Sequence, residues 1–302
     1  MSQMFNNLPG SIRQHLAALR ALVVLTVVTG LAYPLVILVV AQLPGLKSHA
    51  DGSLVKANGA VVGSSLLGQS FTDGLGNPIT KYFQTRPSDA GAGYDPTASG
   101  GSNLGPESII DTLADPSNSK GPGEPGKPSL LSQVCAQSEA VGQLEGVDGQ
   151  RAYCTSDGVG AVLAVIHDSG LTGPIKSVVS VNQECPAKPF ISTYDGVAVT
   201  CATFGVDYRV GKIVLVRGPG KGTDNPVPPD AVTHSASGLD PDISVAYANL
   251  QAPRVAKARG LGLDQVHKLI SKYTVGRTWG FMGNPGVDVL QLNIALDKLG
   301  AT

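Results

Sequence analysis

The sequence has little charge and few of the features that mark an enzyme or a nucleic-acid-binding protein. Charged residues make up 15 % of its 302 residues, against about 25 % in an average domain, and the formal net charge is −1. A nearly neutral chain without a basic tract lacks the positive surface that binds nucleic acid. None of its four cysteines forms a Cys-x-x-Cys pair, which excludes a zinc ribbon. Only one apolar run is long enough to cross a bilayer.

That run, residues 21–43, contains no charged residue. A bilayer core needs about 20 apolar residues in a helix that rises 1.5 Å per residue, so the run predicts one transmembrane helix. Proline lacks the N–H that a helix interior requires, and we expect a kink near Pro34. Two alternatives fit less well. A buried core helix usually has about 10–14 such residues, and the apolar region of a cleaved signal peptide has about 7–15.

Basic residues lie on both sides of the predicted span. Arg13 and Arg20 precede it, and Lys47 and Lys56 follow it, with Asp51 between them. Because cytoplasmic flanks carry more Lys and Arg, the balance narrowly favours a cytoplasmic N-terminus. We therefore expect a single-pass protein of the cell (inner or plasma) membrane, with most of the chain outside.

The cysteine content agrees with an exterior location. An even number of cysteines, clustered in one region of an exported domain, predicts two disulfides. Spacing alone does not choose among the three possible pairings, and four reduced thiols in a cytoplasmic domain are the alternative. The residues are Cys135, Cys154, Cys185 and Cys201.

Glycine and proline, 38 and 21 residues, divide the rest of the chain. Two breaker-rich stretches, 115–129 and 217–229, flank a region with all four cysteines and several strand-like runs, at 159–167, 177–181, 197–204 and 212–216. Helices are predicted after the second stretch, over 245–259 with a break or restart at Pro253, over 263–273, and from 288. The last has an apolar face of Leu292, Ala295, Leu296 and Leu299.

These patterns predict an α+β fold behind a transmembrane helix. The predicted organisation has a cytoplasmic N-terminus, the span, a host domain in two pieces, and a small, strand-rich, disulfide-stapled insert between them. Their limits are 1–20, 21–43, 44–106 with 225–302, and 107–224, with the insert's core at about 130–216.

Signals for catalysis are weak. The stretch at 121–128, GPGEPGKP, matches a phosphate-binding P-loop up to Lys127, but Pro128 replaces the hydroxyl residue that would bind magnesium. His234 lies beside Ser235 and near Asp240 in sequence, but nothing resembles a nucleophile elbow. No two of the five histidines have metal-ligand spacing. We predict no catalytic residue and no metal site.

A series of motifs, in order, resembles the KdpC family, the C subunit of the bacterial Kdp potassium-transporting P-type ATPase. The motifs are TGLAYPL at 29–35, ADGSLV at 50–55, GSSLLGQSFTD at 63–73, YFQTRPS at 82–88, YDPTASGGSNLGP at 94–106, VTHSASGLDPDIS at 232–244, PRVAKARGL at 253–261 and VLQLNIALDKL at 289–299. The chain departs from the family's usual pattern at the insert, where the family usually has a short, partly helical link. It also departs at His234, where a small residue is more usual.

The resemblance implies a non-catalytic subunit of a high-affinity potassium uptake complex. Its partners would be the ATP-hydrolysing P-type subunit, the channel-like potassium-selective subunit and the bilayer, with ATP and potassium handled by the complex. The family is also described as a catalytic chaperone that raises the ATP affinity of the ATP-hydrolysing subunit. Because ATP binds in the cytoplasm and this domain is expected outside, such an effect would be allosteric.

Two groups of residues are candidate contact sites, and for each the alternative role is maintenance of the fold. In the membrane helix, Gly30, Tyr33 and Pro34 shape a packing face, because small residues allow helices to approach closely. The candidate docking or structural loops contain Gln69, Arg86, Ser102, Asn103, Ser237, Gly238, Leu239 and Asp240. None is predicted to coordinate potassium.

Two functions from other classes compete with the subunit hypothesis. A membrane-anchored extracytoplasmic binding protein would use the cysteine-rich insert. A secreted hydrolase would require a cleaved signal peptide and a catalytic triad that the sequence does not indicate.

Overall fold

The structure is a computed structural model that describes residues 9–98, 100–115, 126–218 and 226–299. The chain divides into two compact units, Met1–Leu66 and Leu67–Thr302, and each is described by itself. The P-loop-like stretch at 121–128 lies partly outside the described residues.

The first unit contains one long apolar helix. Residues Gly10–Ala41 form a single helical run of 32 residues that is long and apolar enough to cross a membrane, and none of its apolar window is buried. The run consists of α1 (Gly10–Val27), a π-helical turn (Val28–Ala32) and α2 (Tyr33–Ala41). The wide turn lies directly before Pro34, whose ring would otherwise collide with the carbonyl of Gly30 four residues earlier.

A short hairpin follows the helix in the same unit. After the single turn α3 (Lys47–Ala50), strands β1 (Leu54–Ala57) and β2 (Ala60–Ser64) pair antiparallel. The two residues between them, Asn58 and Gly59, both have positive φ, 50° and 82°. An Asn-Gly pair in this conformation is the preferred two-residue hairpin connection.

The second unit begins with a long irregular segment and ends in helices packed on a small sheet. Three short strands form an antiparallel sheet in the order β8–β10–β9. The elements of this part are β8 (Asp242–Ser244), α5 (Val245–Arg259), α6 (Leu263–Lys272), β9 (Thr274–Val275), β10 (Gly286–Asp288) and α7 (Val289–Leu299). Leu292 and Leu296 of α7 are fully buried, whereas Leu299, expected on the same face, is exposed.

Helix α5 is continuous, so the predicted break at Pro253 is wrong. Proline removes the helical hydrogen bond to the carbonyl of Asn249, which lies four residues earlier. Both Pro253 and Asn249 are exposed, so that carbonyl can bond to water. The opposite face, including Tyr247, Gln251 and Val255, is buried in the core and holds the helix together.

The region predicted as the insert contains a five-stranded sheet in the order β5–β6–β4–β3–β7. Strands β4 and β6 are parallel and the other neighbours are antiparallel. The strands are β3 (Val162–Ser169), β4 (Thr172–Glu184), β5 (Thr193–Tyr194), β6 (Val197–Ala202) and β7 (Lys212–Leu215).

The same region begins with a helix that the sequence analysis missed, α4 (Leu130–Glu145). The Ser129 hydroxyl caps its first turn by accepting from the Ser132 N–H, and Gly146 ends it in the left-handed conformation. Its Val141 belongs to the main core, with residues of α5, α6 and α7. The region thus shares one core with the segments before and after it.

The four cysteines lie in two pairs at disulfide distance. Cys135 of α4 pairs with Cys154, and their Cα atoms are 5.5 Å apart. Cys185, just after β4, pairs with Cys201 of β6 at a Cα separation of 5.1 Å. Each cysteine therefore pairs with its nearest neighbour in sequence, one of the three connectivities that spacing left open.

Candidate functional site

The motif at 82–88 runs through the core as an extended segment held by side-chain amides. Asn293 of α7 accepts from the Phe83 N–H at 2.9 Å and donates to the Phe83 carbonyl at 3.0 Å. Gln251 of α5 does the same for Gln84, at 2.7 and 3.1 Å. The two amides replace the neighbouring strand that would normally satisfy such a segment.

Arg86, at the end of this segment, joins it to the loop at 233–240. Its guanidinium donates to the Thr233 carbonyl and to Asp240 Oδ2, both at 2.8 Å. It also donates to the Thr233 hydroxyl at 3.2 Å and the His234 carbonyl at 3.1 Å. The structure thus brings together Arg86 and Asp240, two of the predicted loop residues.

Gly238 and Leu239 pack against the same region through backbone contacts. The Ser88 hydroxyl donates to the Gly238 carbonyl, and the Gly68 N–H donates to the Leu239 carbonyl at 2.8 Å. Gly238 has φ +69°, and a Cβ there would lie 2.8 Å from the Cβ of Ala90. Only glycine fits this position without movement of the neighbouring backbone.

Gln69 takes part through its carbonyl, which accepts from the Thr85 hydroxyl at 2.9 Å. That hydroxyl also contacts the Tyr94 hydroxyl at 2.6 Å, and Tyr94 in turn donates to the carbonyl of Arg86. Burial raises the pKa of Tyr94, which keeps its phenol protonated as a donor.

Three of the predicted loop residues lie on the surface. Ser102 and Ser237 each accept from the backbone N–H two residues later, at 3.1 and 3.2 Å, which stabilises their own turns. Asn103 is exposed. Ser102 and Asn103 therefore lie outside the hydrogen-bonded network around Arg86 as the structure describes it.

A small cavity of about 260 Å³ lies between the loop at 101–104, the loop at 232–236 and the start of α4. The Ser235 hydroxyl is buried beside it and has no hydrogen-bond partner among the described residues. His234 Nδ1 lies 3.2 Å from Asp89 Oδ2, an ion pair when the imidazole is protonated. His234 thus pairs with Asp89, whereas Asp240, six residues later in the sequence, pairs with Arg86.

A larger cavity of about 530 Å³ lies between the segment at 70–94, α4 and α5. Its lining has aromatic, aliphatic, amide and hydroxyl side chains, and no Lys, Arg, His, Asp or Glu is among the described lining residues: Ser70, Phe71, Thr72, Pro78, Gln84, Thr85, Pro87, Tyr94, Gln137, Ala140, Val141, Gln143, Leu144 and Tyr247. An uncharged lining of this kind accommodates apolar or neutral groups better than anions or cations. One wall belongs to α4, so sequence analysis without that helix did not find the cavity.

In the first unit, Gly30, Tyr33 and Pro34 lie where the π-helical turn meets α2. Tyr33 is exposed. The Thr29 hydroxyl donates to the Leu25 carbonyl at 2.7 Å, so it is satisfied within its own helix. A Cβ added at Gly30, which has no side chain, would lie 3.9 Å from the Cγ2 of Thr26, an ordinary contact distance. The packing of another helix on Gly30, Tyr33 and Pro34 stays a prediction.

Two further features were not found from the sequence. Arg254 of α5 forms a buried ion pair with Glu145 of α4, at 3.0 Å, and nothing in either local pattern indicates that partner. The chain's single tryptophan, Trp279, is exposed on the loop between β9 and β10. The glycines around it, at 276, 280 and 283, were a usable signal for a loop that presents an aromatic side chain.

We expect the network around Arg86 to stabilise the fold. Replacing Arg86 with methionine keeps most of the side-chain volume and removes the donors to Thr233, His234 and Asp240. Because the Arg86–Asp240 pair is partly exposed, the expected loss is modest, about 1–2 kcal/mol of the free energy of unfolding measured in urea. Arg277→Met, at an exposed arginine, is the matched control and should change stability by less than about 0.5 kcal/mol. Equal stability of the two variants would contradict a structural role for Arg86.

Comparison with known proteins places these motifs in a family. A family model described as KdpC, "K+-transporting ATPase, c chain", matches residues 15–114 and 211–298. The chain is similar to the "Potassium-transporting ATPase KdpC subunit" of Mycobacterium tuberculosis (strain ATCC 25618 / H37Rv), with 35 % identity over 287 residues that span 95 % of this chain and 99 % of the relative. The corresponding proteins of Kineococcus radiotolerans and Streptomyces coelicolor are 33 % and 34 % identical over 94 % and 99 % of this chain, and over 93 % and 98 % of their own lengths.

The match of the family model omits residues 115–210, which include α4 and most of the five-stranded sheet. The matched parts contain the segment at 82–88, the loop at 232–240 and helices α5 to α7. The match covers more than half of the chain, and relatives at one-third identity cover nearly all of it. The chain therefore belongs to the KdpC family of K+-transporting ATPase subunits.

Proposed function

We propose that the chain is a non-catalytic, single-pass membrane subunit of an ATP-driven, high-affinity potassium uptake complex. The observation that carries this proposal is family membership together with the apolar helix Gly10–Ala41, whose apolar window is entirely exposed within the unit. A soluble protein does not leave a surface of that length in water, because burying apolar area is the main favourable term in folding. Lipid and neighbouring membrane helices would cover it.

The proposed topology has the N-terminus in the cytoplasm and residues 44–302 outside. The two cysteine pairs at disulfide distance support it, because disulfides persist in oxidising compartments. Arg13 and Arg20 before the apolar run are consistent with a cytoplasmic start.

This topology predicts two stabilising disulfides in the mature protein. In the absence of reductant, none of the four cysteines should react with a maleimide after denaturation, and all four should react after reduction. Replacing both Cys135 and Cys154 with alanine should lower the free energy of unfolding by about 3 kcal/mol, because the disulfide links residues that are 19 positions apart in the sequence. Thiols that react before reduction, in protein taken directly from cells under alkylating conditions, would contradict the exterior location.

The proposed role of the subunit is to assemble and stabilise the pump, with a raised ATP affinity of the ATP-hydrolysing subunit as a linked effect. Under this proposal ATP and potassium are bound by the other subunits and the chain needs no cofactor. A subunit that favours one state of the pump raises the affinity of any ligand that prefers that state, without touching the ligand. The membrane helix, with its wide turn at Val28–Ala32, offers a physical connection for such an effect.

The test is a mild-detergent pull-down on a C-terminal tag, from cells grown in low potassium, followed by mass spectrometry and ATPase assays. We expect a P-type ATPase and a channel-like potassium protein in stoichiometric amounts. We also expect the KM for ATP to rise when the complex is prepared from a strain that lacks this chain. If the chain purifies alone, the subunit proposal is wrong. If the KM for ATP is unchanged, the proposed effect on ATP affinity is wrong, while the proposed role in assembly stands.

A second candidate is a membrane-anchored binding protein, favoured by the uncharged cavity of about 530 Å³ with α4 as one wall. It would bind a neutral, partly apolar ligand. It differs from the first in that the chain would purify without pump subunits and would retain a small molecule visible by native mass spectrometry.

A further inference from the structure

The loop between β9 and β10 presents an unusual apolar surface. All residues from 275 to 285 are exposed. Trp279 is 81 % exposed, Phe281 69 % and Met282 48 %. This is the only tryptophan in the chain, which has six phenylalanines. Single exposed apolar residues are common on protein surfaces, but several large ones gathered at one point often mark an interaction site. We call residues 277–282 the aromatic tip.

The aromatic tip has a defined shape. Thr278 and Met282 exchange two backbone hydrogen bonds, at 2.9 and 3.0 Å, and the Gly280 N–H donates to the Arg277 carbonyl at 3.0 Å. The rings of Trp279 and Phe281 lie 6.5 Å apart between centroids. The strands below are fixed to the core, because Val287 of β10 is fully buried. The backbone that carries the two rings is therefore fixed before any partner binds.

Trp279 has φ +54°, in the left-handed region that bulky residues rarely adopt. Such a conformation is destabilising and persists where the surrounding structure or a function requires it. Here the side chain has no packing role in the fold, since it is almost wholly exposed. Packing of the ring inside the fold therefore does not account for the strained conformation.

We propose that the aromatic tip docks into an apolar pocket on an integral-membrane subunit of the potassium uptake complex; this rests on the function proposed above. Trp, Met and Arg are enriched at the centres of protein interfaces, and the tip contains Arg277, Trp279 and Met282. Arg277 is the only charged residue from 275 to 285, and its exposed guanidinium has no partner among the described residues. It can donate to carbonyl or carboxylate groups at the rim of such a pocket.

A lipid surface is the alternative partner, and the geometry favours protein. A fluid bilayer makes no demand on the shape of the backbone that carries the rings, so a tip with a fixed and strained backbone gains little from lipid. A pocket of fixed shape does reward preorganisation, because the ordering cost is already met before binding. The chain also has its own long apolar helix for contact with lipid.

The experiment uses the full chain in the purified complex, with variants Trp279→Ala and Phe281→Ala. Each should raise the rate at which the tagged chain dissociates from the immobilised pump by about tenfold or more. Thermal unfolding midpoints should match that of the native protein, since both side chains are exposed. Leu171→Ala is the matched control, because Leu171 is exposed at the tip of the β3–β4 hairpin and lies outside the family match. Its dissociation rate should stay within twofold of the native rate.

A photo-cross-linking amino acid in place of Phe281 identifies the partner in native membranes. An adduct with an integral-membrane subunit supports the proposal. An adduct with lipid alone, or dissociation rates of both alanine variants equal to the native rate, overturns it. If the native chain itself does not associate with pump subunits, the proposed function fails first, and the two failures are thereby distinguished.

Discussion

Replacing Arg254 with methionine is expected to lower the free energy of unfolding of the second unit by about 3–5 kcal/mol. The Glu145 side chain is 0 % exposed and that of Arg254 8 %. Both oxygens of Glu145 accept from Arg254 Nε at 3.0 Å. Arg254 also donates to the carbonyls of Thr80 and Tyr82 and, at 2.9 Å, to Gln251 Oε1. Methionine would leave a buried carboxylate and these carbonyls without a donor.

The loss should depend on pH. Burial raises the pKa of Glu145 above its ordinary value, although the hydrogen bond and charge of Arg254 oppose this rise. Without Arg254 the folded-state pKa rises further. A carboxyl group whose pKa is higher in the folded state than in the unfolded state stabilises the fold fully at pH values below its unfolded-state pKa. That stabilisation is lost as the pH rises through its folded-state pKa. The difference between variant and native protein should therefore be smallest in mild acid and grow towards pH 8, as measured by urea unfolding.

Two controls separate the buried charge from loss of packing. The double variant Arg254→Met, Glu145→Leu removes both charges and should recover part of the stability of the single variant. Lys257→Met changes an exposed residue of the same helix and should stay within about 0.5 kcal/mol of the native protein. An exposed ion pair contributes about 1 kcal/mol or less. If Arg254→Met lowers the free energy of unfolding at pH 8 by no more than about 1 kcal/mol, the pair has no major role in stability.

This ion pair also explains where sequence-based prediction succeeded and where it did not. Helices α5 and α6 were predicted within a residue or so, because their caps and apolar periodicity are local signals. Glu145 and Arg254 are 109 residues apart, and neither looks unusual among its neighbours. This pair forms only because α4 packs on α5 in the folded protein. The periodicity of a segment predicts its own secondary structure and not which other segment it packs against.

Helix α4 itself could have been predicted. Ser129 and Gly146 are typical residues for the start and the end of a helix. The strand-like runs that follow Gly146 led to the prediction of a strand-rich region without this helix. The α+β fold class was predicted from the order of the strand-like and helical patterns, the apolar helix from its length and lack of charge, and the family from ordered motifs. The arrangement around Arg86 was not predicted. The motifs indicate that Arg86 and Asp240 are candidate contact residues, but they do not indicate that the two side chains form an ion pair with each other.

Replacing Asn293 with alanine should cost about 4 kcal/mol, the second large effect. Asn293 and Phe83 are 1 % and 0 % exposed. The Asn293 amide forms hydrogen bonds with both the N–H and the C=O of Phe83, so its loss leaves two buried backbone groups unsatisfied. Each such group costs about 1–3 kcal/mol, and the missing side-chain volume adds to this. Urea unfolding of the full chain in detergent measures the change.

Asn293→Leu separates hydrogen bonding from packing, since leucine fills the volume and supplies neither donor nor acceptor. If the hydrogen bonds dominate, the leucine variant should be nearly as unstable as the alanine variant. Lys298→Ala, on the exposed side of the same helix, should change stability by less than about 0.5 kcal/mol. Native-like stability of the leucine variant would show that packing alone holds the segment at 82–88. Shape complementarity would then hold the segment at 82–88 against α7, and the hydrogen bonds of the Asn293 amide would not be needed for stability.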